Sequence, residues 1–107
     1  MNIKTKIIWQ GRILPGKKEE YIRRHKDIWP EMVENLKAQG ISNYSIFCCG
    51  DKLIGYYECD DVEKLRRVKA ESPVAKKWSE SMNGIMELEK TENGSGNEVF
   101  EQVFYLE

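Results

Sequence analysis

The hydrophobic period of this chain switches several times along its length, and the order of the switches is what most restricts its fold. Residues 3 to 14, IKTKIIWQGRIL, are rich in β-branched residues and run into the turn signal Pro15-Gly16, which predicts a strand with Gly11 as a candidate bulge. Beyond the turn, Tyr21, Ile22, His25, Trp29, Met32, Val33 and Leu36 recur at spacings of three and four, the period of one helix face. Pro30 lacks an N–H and disfavours helical geometry at Trp29, so it should interrupt or restart that helix, and Gly40 should close it. ISNYSIFCC and KLIGYYEC flank Gly50-Asp51 and read as a β-hairpin. Asp60-Asp61 offer an N-cap for VEKLRRVKAE, and Ser72 with Pro73 starts a second helix carrying Val74, Trp78 and Met82 on one face. The polar stretch 90 to 98 is a loop, and VFEQVFYLE is predicted as a last strand.

The resulting order, β-α-β-β-α-β, is the α+β ferredoxin-like arrangement: an antiparallel sheet with helices packed on one face. With 107 residues the chain is expected to form one domain, spanning 1-107. The other face of such a sheet needs cover. Trp9, Phe47, Tyr57 and Phe104 are the large apolar groups expected there, so two sheets packed face to face in a homodimer are the natural solution.

Composition removes several classes of function. Hydrophobic residues at 40% and charged residues at 33% suit a soluble globular chain. A net charge of -1 gives no electrostatic footprint for nucleic acid or an anionic membrane. No apolar run approaches the roughly 20 residues that span a bilayer, and MNIKTKIIWQ lacks a signal-peptide pattern, so a cytoplasmic location is expected. The three cysteines, Cys48, Cys49 and Cys59, are read as small buried strand residues of a reducing compartment. A single histidine does not supply a zinc site of the usual kind.

That histidine is the main chemical signal. His25 shares one helical stripe with Tyr21 and Trp29, and its side chain alone has an unperturbed pKa near neutrality, suited to giving and taking a proton. A lone helical histidine is also commonly structural or solvated, so the stripe by itself leaves both readings open. Tyr44 and Trp78 could close an apolar pocket around it. Equally, Trp78 fits a core position and Tyr44 a strand position with its hydroxyl in water. The charged neighbours Arg23, Arg24, Lys26 and Asp27 read as a solvated face.

Four blocks, EEYIRRHKDIWPEM, ISNYSIF, SPVAKKW and QVFYLE, resemble the L-rhamnose mutarotase family in their order and separations. The first, Y-x-x-R-H-x-x-I-W-P, is specific, and the resemblance runs over nearly the whole chain. It implies a small dimeric α/β barrel that interconverts the α and β anomers of L-rhamnose, with no metal or organic cofactor. It also implies that His25 is the proton donor and that Tyr21, Tyr44 and Trp78 contact the sugar. Ser79 falls at a further sugar-contacting position, where the family usually carries the second tryptophan of a W-W pair, so the pocket width is expected to differ. The hairpin CCGDKLIG looks tighter than is common in the family. Two other functions share this fold type: a cofactor-independent oxygenase or haem-handling protein, and a sugar- or small-ligand-binding module without catalysis. The mutarotase is expected to speed anomer exchange, the oxygenase or haem protein to take up oxygen with a quinol or purify coloured, and the binding module to bind a sugar while leaving its anomer exchange unchanged.

Overall fold

The computed structural model describes residues 4–107. Strand β1 (Thr5–Ile13) runs through the middle of a five-stranded antiparallel sheet. After it come α1 (Lys18–Lys26), α2 (Pro30–Ala38), β2 (Ile41–Cys49), β3 (Lys52–Cys59), α3 (Val62–Ala70), α4 (Pro73–Ser81), β4 (Met86–Leu88) and β5 (Asn97–Phe100). β3 pairs along one edge of β1, with β2 outside it. The other edge of β1 is divided between β4, opposite Gly11 to Ile13, and β5, opposite Lys6 to Trp9. The chain is therefore α+β, with an antiparallel sheet and four helices. None of these helices is long and apolar enough to cross a membrane.

The helices divide where the sequence marks a stop. Trp29 is extended (φ -61°, ψ 134°) ahead of Pro30, which opens α2 at a position where its missing N–H costs nothing. Gly40, at φ +81°, terminates α2. Asp61 and Ser72 cap α3 and α4, accepting from the Lys64 and Ala75 N–H groups at 3.1 Å.

Alternation along the strands builds the core. Ile7, Trp9 and Ile13 of β1 and Leu53, Tyr57 and Cys59 of β3 face Tyr21, Leu65, Met82 and Ile85. Trp9 and Tyr57, expected on the uncovered face, thus lie on the helix-covered face at 6% and 4% exposure. The opposite face carries Ile8, Phe47, Ile54 and Phe100, with Phe47 directly across from Ile54. Of the cysteines only Cys59 is buried. Cys48 and Cys49 are exposed because β2 is an edge strand, and all three are unbridged.

Two expectations about strands change. β5 ends at Phe100 instead of continuing to residue 107. Phe100 pairs with Lys6 and β1 begins at Thr5, so a longer antiparallel ladder would run off the end of its partner. Residues 101–107 have no regular secondary structure, and Val103, Phe104, Tyr105 and Leu106 are exposed. The bulge also moves. Gly11 pairs in regular register with Leu53 and is required because a Cβ there would sit 2.5 Å from the Glu87 carbonyl oxygen. The irregularity lies in β2 between Ser42 and Ser45, around Asn43 at φ +50°.

Gly55 faces Trp9 across the β1–β3 ladder, and a Cβ at that position would come within 2.0 Å of the indole ring. Gly55→Ala should therefore displace Trp9 and destabilise the chain by about 1–3 kcal/mol, as overpacking does. Urea unfolding followed by Trp fluorescence checks this, and an unchanged midpoint would show that the indole does not depend on the glycine.

Candidate active site

Between the covered face of the sheet and helices α1, α2 and α4 lies a cavity of about 1070 Å³. Its wall includes all five side chains singled out from the sequence: Tyr21, His25, Tyr44, Trp78 and Ser79. Helix turns on α1 and α4 and a bulge in β2 bring them there.

Tyr21 and His25 occupy successive turns of α1, with ring centroids 4.2 Å apart. His25 Nδ1 is 2.9 Å from the Tyr21 carbonyl oxygen. A carbonyl can only accept, so Nδ1 carries the hydrogen and the neutral imidazole keeps its lone pair on Nε2. Burial holds the His25 pKa below the usual histidine value, with the Tyr21 carbonyl partly opposing the shift. The imidazole is thus neutral at pH 7, with Nε2 as a base.

The position of α1 is set from outside the cavity. Arg24 donates to Glu20 at 2.6 Å and to the Ser81 carbonyl at the end of α4, satisfying an acceptor that the helix leaves open. This contact ties the histidine helix to the tryptophan helix. Trp78 meets His25 edge-on at 5.3 Å, and Trp29 backs Trp78 edge-on at 5.2 Å without lining the cavity.

Tyr44 is brought in by the bulge. In a regular β2 ladder Tyr44 would oppose Tyr56 and point to the uncovered face. The extra residue at Asn43 makes Ser45 the partner of Tyr56, which returns Tyr44 to the covered face against Tyr57, at a ring distance of 4.9 Å. Asn43 Nδ2 donates to Glu58 at 2.8 Å and holds the bulge in place. The Trp9 indole N–H donates to Tyr44 Oη at 2.8 Å, leaving the tyrosine hydrogen free for the cavity. Tyr44 is 37% exposed as a residue, yet its phenol end is enclosed by Trp9 and Tyr57, and burial pushes its pKa up to about 12. Burial likewise raises Tyr21 and Tyr57. All three phenols stay protonated at neutral pH and act as hydrogen-bond donors.

Tyr21 adds the most telling feature. It is 4% exposed, and its hydroxyl is buried with no hydrogen-bond partner among the described residues. Leaving such a group unpaired costs about 1–3 kcal/mol, so the hydroxyl keeps hydrogen-bonding capacity that a ligand in the cavity could use.

Trp9, Tyr57, Met82 and Asn97 also line the cavity and were missed as site residues. The alternation of Ile7, Trp9 and Ile13 was the available signal for Trp9, but the positions of Tyr57 and Asn97 depend on strand pairing. Asp27 is exposed and away from the wall, as the solvated-face reading expects. Among the described residues, no group of three or more His, Cys, Asp or Glu side chains is arranged to hold a metal ion.

The sequence profile of the family described as L-rhamnose mutarotase matches residues 6–106. A protein from Oceanobacillus iheyensis bearing that name is 37% identical over 97 residues, covering 89% of this chain and 91% of its own. Its counterpart in Bacillus subtilis is 41% identical over 93 residues, covering 85% and 88%. The crystal structure of L-rhamnose mutarotase from Formosa agariphila superposes with a TM-score of 0.72 at 28% identity, over 95% of this chain and 98% of that one. With a neutral histidine, a donor-rich aromatic cavity and these likenesses along nearly its full length, the chain belongs to the L-rhamnose mutarotase family.

Proposed function

We propose that the protein is an aldose mutarotase that interconverts the α and β anomers of L-rhamnose, with His25 as its acid–base group. The observation that carries this reading is the unpaired Tyr21 hydroxyl beside the neutral His25 imidazole, which matches a small polyhydroxylated ligand that must exchange a proton. The names of the relatives support the particular sugar.

Ring opening requires that the anomeric O1–H lose its proton, that the ring oxygen gain one, and that the C1–ring oxygen bond break. His25 Nε2 takes the O1 proton. Tyr44, oriented by Trp9 and protonated at neutral pH, supplies the ring oxygen. The aldehyde then turns its other face, and reclosure runs the same transfers backwards, with the His25 imidazolium now the proton donor. Trp78 covers an apolar face of the sugar, and Tyr21 and Ser79 hydrogen-bond to its hydroxyls. The uncatalysed reaction is already facile, and positioned acid–base catalysis of about 10²–10⁴-fold, with orientation added, is enough without a covalent nucleophile.

The assembly we propose is a homodimer in which two sheets close a barrel through their uncovered faces. Phe47 and Ile54, at 62% and 46% exposure, form with Ile8 and Phe100 an apolar patch that a partner sheet would remove from water.

His25→Asn should lower anomer exchange of L-rhamnose by about 10²-fold or more while the protein stays folded, as read by saturation transfer between the anomeric NMR signals. Because the neutral imidazole is the base, activity should be full above its lowered pKa and fall as pH drops through it, with a midpoint below about 6.5. Retention of the full rate would remove His25 from the mechanism. Tyr21→Phe removes only the unpaired hydroxyl. It should raise KM about tenfold and leave thermal stability equal or higher, because no protein partner is lost. Ile54→Glu places charge at the centre of the proposed interface and should convert a dimer into 12.6 kDa monomers in sedimentation velocity.

A further inference from the structure

The His25 cavity has a neighbour at its Ser79 end. A second cleft of about 770 Å³ lies between α3, α4 and the stretch 93–99. Five residues line both spaces: Tyr57, Lys69, Ala75, Ser79 and Asn97. The common wall therefore contains two of the smallest side chains, Ala75 and Ser79, on successive turns of α4. The remaining three, Tyr57, Lys69 and Asn97, carry polar tips. The Tyr57 hydroxyl donates to Asn97 Oδ1 at 3.1 Å, which joins these two residues of the common wall.

The two spaces differ in chemistry. The first is walled by aromatic rings around His25. On the other side of the common wall, the cleft is lined by apolar Ile7, Val62 and Leu65 and by amide, hydroxyl and charged groups, including Asn93, Ser95 and Glu98. A lining of apolar groups with mixed donors and acceptors suits a further sugar ring, which has C–H faces and a hydroxyl edge. Volume agrees. The first cavity already reaches the upper end of the roughly 300–1,000 Å³ that encloses a drug-sized ligand, more than one pyranose needs.

We propose that the second cleft is a subsite for a further saccharide unit, so that the enzyme also acts on reducing disaccharides whose L-rhamnose end enters the His25 cavity. This rests on the mutarotase reading and names a wider substrate class for the same site. The chemistry allows it. Only the reducing ring has an O1–H to lose, so only its C1–ring oxygen bond opens and closes. The glycosidic bond is an acetal with no such proton, and it survives. The link would run from a non-anomeric oxygen of the reducing ring, past Ser79 and Ala75, into the cleft. Lys69 lines both spaces with no salt bridge among the described residues. Its ammonium is available to donate to hydroxyls of either unit.

The test compares L-rhamnose with a glucosyl-L-rhamnose that has a free reducing end, using the full-length protein. Saturation transfer between anomeric signals reads exchange, and saturation-transfer difference reads binding. Ala70→Trp fills the second cleft from an exposed position at the end of α3 that lines only that cleft. Wild type should exchange both sugars. The variant should keep its L-rhamnose rate while exchange of the disaccharide falls by about tenfold or more. If the disaccharide neither binds nor exchanges while L-rhamnose does, the subsite is overturned. Equal rates on the disaccharide for wild type and Ala70→Trp overturn it too, provided circular dichroism shows the variant folded; Lys76→Trp, on α4, fills the same cleft should Ala70→Trp fail to fold. If neither sugar is accelerated, the mutarotase reading fails. Disaccharide binding that Ala70→Trp abolishes would then still support the subsite, and binding it leaves intact would overturn it.

Discussion

The contact on which most else depends is the Trp9 indole lying over Gly55. It joins three levels of the structure in one side chain. The indole fills the centre of the core, where burial of a group this size contributes several kcal/mol. It lies where only a glycine on the neighbouring strand leaves room, so the β1–β3 register is locked to one residue pairing. Its N–H reaches the Tyr44 hydroxyl and decides which way that hydroxyl can donate. A shift of register by one residue would break all three at once, because it would turn Trp9 to the opposite face.

The polar side of the cavity works by leaving capacity unused. Most buried polar groups in a protein are paired, yet among the described residues Tyr21 keeps an open hydroxyl, and His25 uses Nδ1 on the chain and leaves Nε2 without a partner. Burial acts in opposite senses on the two residue types: it disfavours the imidazolium of His25 and the phenolates of the tyrosines. The result is one base among several neutral donors. Such a set is suited to moving a proton between two oxygens of one substrate. The Arg24 contact to Ser81 keeps this arrangement in register across two helices that share no strand.

Much of this was legible from residue types and spacing. The start signals at Pro30, Asp61 and Ser72 and the stop signal at Gly40 locate helix boundaries, because each acts on backbone within one turn of itself. The stripe through Tyr21 and His25 was visible for the same reason. Other features were not. Tyr44 reads as an ordinary strand residue, and alternation counted from Ile41 would place it on the wrong face. Only the left-handed Asn43 reverses it. Trp9 and Tyr57 were assigned to the uncovered face because alternation separates two faces without saying which one the helices cover. The final strand was overextended because apolar residues from 103 to 106 look like strand, whatever partner is available.

Local chemistry in the sequence by itself determined the helix boundaries, the antiparallel α+β class and the stripe that puts His25 one turn from Tyr21, since turns, caps and periodicity act over a few residues. Tertiary structure alone decided which face of the sheet is covered, where β5 stops, how Tyr44 enters the cavity and that a second cleft adjoins the first at Ser79. Those properties depend on pairing between segments up to about ninety residues apart, such as Lys6 with Phe100, and no local preference encodes that register.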